Sequence, residues 1–152
     1  MLRTLKMVFA SIACIAGISC DAAPAVFDLQ SLASESGGIY LVDVKEVVNP
    51  GWRDESGQGI LLAVATVEVS IKGPQRRELT FSFKPAVSDQ AKFASGSRYV
   101  IFVFGPQRPI VLDHQPRGMT VQGEVVDTSG LRGEPQAQPL AAFLARITQA
   151  TK

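Results

Sequence analysis

The sequence predicts a mainly β fold closed by a C-terminal helix, and three patterns carry that expectation. From Leu61 to Lys72 the odd positions Leu61, Ala63, Ala65, Val67, Val69 and Ile71 are all apolar, while the even ones drift toward Thr66, Glu68, Ser70 and Lys72. That two-residue period belongs to a strand with one buried face. Tyr99–Phe104 reads Tyr-Val-Ile-Phe-Val-Phe, apolar on both faces, and so predicts a central strand covered on each side. Leu140, Phe143, Leu144 and Ile147 recur at i, i+3, i+4 and i+7, one face of a short helix over residues 139–149 with Pro139 in its first turn. The opposite face of that helix carries only Arg146 as a cation, which favours docking on the sheet over lying on a membrane.

The chain begins with Arg3 and Lys6, followed by an uncharged run from Met7 to Cys20 and then Asp21-Ala22-Ala23-Pro24. As a helix the run would reach about 20 Å, short of a hydrocarbon core of roughly 30 Å. It reads as a signal peptide, residues 1–19, rather than a stable span. Ala16-Gly17-Ile18-Ser19-Cys20 resembles the lipobox of bacterial lipoproteins, with Gly17 where that motif prefers Leu. On that resemblance Cys20 is lipidated, and Asp21 is similar to an inner-membrane retention signal of some Gram-negative lipoproteins. The alternative is cleavage after Ala22 or Ala23, which discards Cys20. Both cysteines, Cys14 and Cys20, fall in or at the edge of this leader, so the mature domain is expected to hold no internal disulfide.

Residues 20–38 are expected to be a Ser-, Ala- and Gly-rich tether that becomes ordered near Phe27 and Leu29. The domain proper is placed at 39–152. Ile39–Val48 is its first strand, with Tyr40, Val42, Val44 and Val48 in one phase. The long loop that follows, Asn49 to Gly59, holds the single tryptophan, Trp52, beside Arg53. Trp52 either anchors a partner or lids the open end of the core. After the Leu61–Lys72 strand, Gly73-Pro74 turns the chain and Leu79, Phe81 and Phe83 resume the alternation. The result is a hairpin with Lys72, Arg76 and Arg77 at its tip. Those cations suit an anionic partner such as lipid headgroups, a glycan or an acidic protein, or they simply keep the strand edge soluble. Ser88–Phe93 is expected to form one helical turn that plugs a small barrel, Ile110–Leu112 a brief pairing, and Met119–Val125 a last strand. Asp127–Gln138 reads as a loop.

With 152 residues, 46% hydrophobic and 19% charged, the chain is one ordinary globular domain after its leader. A balance of 15 Lys+Arg against 14 Asp+Glu disfavours nucleic acid as a partner. His114 is the only histidine, and no cysteine lies beyond residue 20, so no metal centre or cofactor is expected. A hydrolase using His114 would need a serine and an orienting acid, and the adjacent Asp113 is badly placed to orient its neighbour. No G-x-S-x-G elbow, Walker loop or dinucleotide glycine pattern occurs.

The Val-rich Ile39–Val48, the run Val69-Ser70-Ile71-Lys72-Gly73, and Phe93-Ala94-Ser95-Gly96-Ser97-Arg98-Tyr99-Val100-Ile101-Phe102 together resemble the netrin-like or TIMP-like version of the OB fold. The resemblance implies a five-stranded OB-like barrel with a flanking helix, used for binding rather than catalysis. The metalloprotease inhibitors of that family act through an N-terminal cysteine within a disulfide framework. This chain lacks the framework, and lipidation of Cys20 would acylate the amine, so inhibition does not carry over. The expected function is therefore an exported, lipid-anchored, non-enzymatic module that binds a protein or envelope component, with Trp52, Arg53, Arg76 and Arg77 as candidate contacts. A structural or assembly lipoprotein of an envelope complex is the alternative, in which edge-strand pairing would matter more than loop side chains.

Overall fold

A computed structural model describes residues 27–85, 93–112 and 116–152. The expected leader with Cys14 and Cys20, residues 88–92 of the expected helical turn, and Asp113 and His114 lie outside the described residues. In chain order the elements are α1 (Leu29–Glu35), β1 (Gly38–Val48), β2 (Leu61–Lys72), β3 (Glu78–Phe83), β4 (Arg98–Val103), β5 (Ile110–Val111), β6 (Arg117–Gln122), β7 (Val125–Asp127), β8 (Ala137–Pro139) and α2 (Leu140–Ala150). The fold is mainly β with a C-terminal helix, as the periodicities predict.

The closed five-stranded barrel does not form. The strands make one open sheet in the order β5-β3-β2-β1-β4-β6-β7-β8. The strand that would close the ring is divided: Ile110 and Val111 pair in parallel with Thr80 and Phe81, whereas Arg117–Val121 pair antiparallel with β4. Pro116, between them, has no N–H to donate to a ladder. The predicted last strand is also split, because Gly123 at φ 59° reverses the chain between β6 and β7. Part of the expected 127–138 loop then adds β8 beside β7.

The sheet nevertheless rolls. Tyr40, Val42, Val44, Ala63, Ala65, Leu79, Phe81, Ile101, Val103 and Val111 form one core cluster and are fully buried, yet neither described helix contributes to it. Side chains of β1 to β5 meet in this one cluster. Covalent geometry agrees, since six peptide links from Val111 to Arg117 keep β5 and β6 within about 20 Å. Phe93 sits inside the roll, its ring 4.9 Å from Phe81, 5.1 Å from Phe83 and 5.0 Å from Tyr99 between centroids, in edge-on contacts.

A second core lies on the opposite face, where α1 and α2 pack over β1, β4, β6 and β7 through Leu29, Leu32, Ile39, Leu41, Val100, Phe102, Val121, Val126, Phe143 and Ile147. In β4, Val100 and Phe102 face the helices while Tyr99, Ile101 and Val103 face the roll, which is the two-sided burial its composition requires. In α2, Leu140, Phe143 and Ile147 are buried, one face of the helix as spaced in the sequence.

Two expectations change. The expected tether runs through residue 38, but Leu29–Glu35 is a helix that buries Leu29, Leu32 and Ala33, and β1 begins at Gly38. Asp28 caps the helix, its carboxylate accepting from the Ser31 N–H at 2.9 Å. In β2 the single apolar face breaks. Register slips opposite Ile39/Tyr40 and Leu41/Val42 put Val69 against Leu41, where it is 42% exposed, and turn Ile71 toward the helix-side core. An extra residue at each bulge flips the pleat.

Candidate functional site

The two pairs of candidate side chains lie at opposite ends of β2. Trp52 and Arg53 follow β1, whose last pair is Val48 with Leu62, while Arg76 and Arg77 follow Lys72. Ten residue steps separate Leu62 from Lys72, about 33 Å along an extended strand.

The β1–β2 loop is braced throughout. Its backbone folds back on itself, with the Ile60 N–H donating to the Trp52 carbonyl at 2.9 Å and the Asp54 N–H to the Gln58 carbonyl at 2.9 Å. At the tip the Asp54 Oδ1 accepts from the Ser56 N–H (2.9 Å), the Ser56 hydroxyl (2.6 Å) and the Gln58 N–H (2.8 Å). Its Oδ2 meets the Lys84 Nζ at 2.6 Å, which ties the tip to the end of β3. The Lys84 ammonium first, and then the Ser56 hydroxyl, hold the Asp54 carboxyl well below the usual carboxylate range. Arg53 is occupied in the same bracing, its Nη1 donating to the Gly57 carbonyl at 2.9 Å. Trp52 is 44% exposed and belongs to neither of the two core clusters. Beside it an open depression of about 660 Å³ is lined by Arg53, Glu55, Gln58, Ile60 and Lys84.

At the other end, Tyr40 is fully buried and its hydroxyl donates to the Gln107 Oε1 at 3.0 Å. Burial pushes the Tyr40 phenol up, against the opposing pull of the nearby Arg76 guanidinium. Arg76 donates through Nη1 to the Arg108 carbonyl at 2.7 Å, which draws Arg108 to the hairpin tip. Arg77 and Arg108 are exposed and make no ion pair among the described residues. Lys72 is committed elsewhere: its Nζ donates to the Ala33 and Ser34 carbonyls at 2.7 and 3.0 Å, at the C-terminal end of α1.

Sequence reasoning missed Lys84, Gln107 and Arg108. Each becomes relevant only through a partner some thirty or more positions away, and no local pattern signals that. A larger groove of about 770 Å³ runs along β6, β7 and β8, where Thr120, Gln122, Val125 and Asp127 face away from the helices. Among the described residues no group of three His, Cys, Asp or Glu side chains could hold a metal ion, and no helix is long and apolar enough to cross a membrane. Comparison with protein-family models and with curated proteins finds no match.

Proposed function

We propose that the chain is an exported, lipid-anchored, non-enzymatic binding module that recognises a protein or envelope component through its β1–β2 loop. The observation that carries this reading is an exposed tryptophan on a pre-organised support. A tryptophan carried on backbone that is already ordered before binding loses less freedom on contact, and buried interface tryptophans commonly dominate affinity. The wider scaffold supports the same surface. A long, bulged β1 paired with both β2 and β4, and a β3–β5 parallel pair within the open sheet, support an OB-like reading of the scaffold. OB folds bind oligonucleotides and oligosaccharides through the face of their second and third strands together with the loops after the first and fourth strands, and the Trp52 loop is the first of those loops. The netrin-like resemblance belongs to this proposal, as does the anchor at Cys20.

Arg53 acts in this reading as a brace, and Trp52 as the contact. Crosslinked capture of a partner from the native envelope tests it. Trp52→Ala should weaken capture about 30-fold, the loss typical of a central aromatic. Its unfolding midpoint should stay close to that of the unaltered chain, because Trp52 lies outside both cores. Undiminished capture by Trp52→Ala would overturn the loop assignment.

A further inference from the structure

We propose that the end of the sheet opposite Trp52 rests on an anionic lipid bilayer, with Arg76, Arg77 and Arg108 as the contact. This rests on the lipid-anchor reading, which sets the geometry. Seven peptide links join Cys20 to Phe27 and span at most about 25 Å, so a bilayer holding Cys20 lies within that distance of Phe27.

Phe27 marks which end faces the lipid. Lys72, Ile39, Phe102 and Arg117 are successive partners across β2, β1, β4 and β6, forming one row at one end of these strands. The Arg117 guanidinium lies 4.2 Å from the centre of the Phe27 ring, so the chain leaves the domain beside this row. The hairpin tip after Lys72 is at the same end, and Arg76 brings Arg108 to it. Arg77 and Arg108 keep their charge unpaired among the described residues, and Arg76, half-buried with its Nε shielded from solvent, donates to a carbonyl rather than a carboxylate. Glu78 is the nearest acid in sequence and forms no ion pair with them. Three arginines beside a short tether complement an anionic surface, and the Trp52 loop then points away from it. An acidic protein could meet the same charges, but the tether length favours lipid.

The mature protein, reconstituted in vesicles of phosphatidylcholine with brominated phosphatidylglycerol, tests this. Trp52 is the single tryptophan and reports its own end, while an environment-sensitive dye on Gln75→Cys reports the hairpin. Bromine should quench the dye and spare Trp52, and the dye's quenching should disappear in Arg76→Ala/Arg77→Ala/Arg108→Ala. Arg77→Ala/Arg108→Ala, which removes no described side-chain bond, should weaken it in the same direction even if loss of Arg76 disturbs Tyr40. Quenching of Trp52 alone or of both probes equally, no quenching of either, or indifference to the arginines would overturn the proposal. The anchor is judged separately, by whether the mature mass includes a diacylglyceryl group on Cys20. If the chain proves soluble, its salt-sensitive binding to the same vesicles should fall on the order of 100-fold in the triple variant. Equal binding by the triple variant would overturn the lipid-facing surface whatever the anchor.

Discussion

Gly73 lies at φ 88°, and a Cβ there would sit 2.8 Å from the Tyr40 hydroxyl and 3.0 Å from the Gly37 carbonyl oxygen. Both the backbone and the space demand glycine at this turn. Gly73→Ala should therefore cost about 2 kcal/mol or more in urea unfolding, from the left-handed conformation and the contact with Tyr40 together. Asp54 governs the other end of the sheet. Its carboxyl titrates below its unfolded value of about 3.9, so its contribution to loop order is complete above that pH and fades as acid protonates the native carboxylate. Amide exchange at Ser56 and Gln58 should accelerate as pH falls through this acid range, after correction for intrinsic rates. Asp54→Asn should show fast exchange already at neutral pH. The sequence exposed Trp52 as a candidate because a lone tryptophan in a long loop stands out. The Asp54–Lys84 pair that steadies it spans thirty positions and leaves no local trace.

At the level of elements, strands whose alternation reflects a single environment were legible, and those shaped by tertiary demands were not. β4 is read correctly because burial on both faces leaves an uninterrupted apolar run, and α2 because one apolar stripe meets one surface. β2 is half-read: the odd-position rule holds through Val67 and fails at Val69 because bulges, which carry no composition signal, reverse the pleat. α1 escaped notice because seven residues of Leu, Gln, Ser, Ala and Glu make a weak helix alone. Its stability comes from Leu29 and Leu32 on the second core and from the Lys72 ammonium on its last carbonyls. Lys72→Met should weaken α1 by about 1 kcal/mol, seen as faster amide exchange in residues 29–35 with little change elsewhere.

Across the whole molecule, the two cores share β1 and β4, so neither can unfold and leave the other intact. Phe81→Ala on the inner side and Phe143→Ala on the helix side should each cost about 3–5 kcal/mol. Both should displace one common transition, with Trp52 fluorescence and far-ultraviolet circular dichroism moving together. A biphasic curve in either variant would show the cores to be independent. The Arg98–Glu68 pair, bonded at 2.9 and 2.7 Å but about a third exposed, should add little to this, with a double-mutant coupling under about 1 kcal/mol that salt reduces. The two-sided burial of β4 also creates a hazard before folding is finished. Tyr99–Phe104 is six residues without charge, proline or glycine, and its side chains are sheltered only when both the rolled strands and the helices are in place. In any unfolded chain it is a self-complementary strand open to other copies. A peptide of these six residues should assemble into cross-β fibrils, whereas the folded domain, which keeps them at its centre, should not seed them.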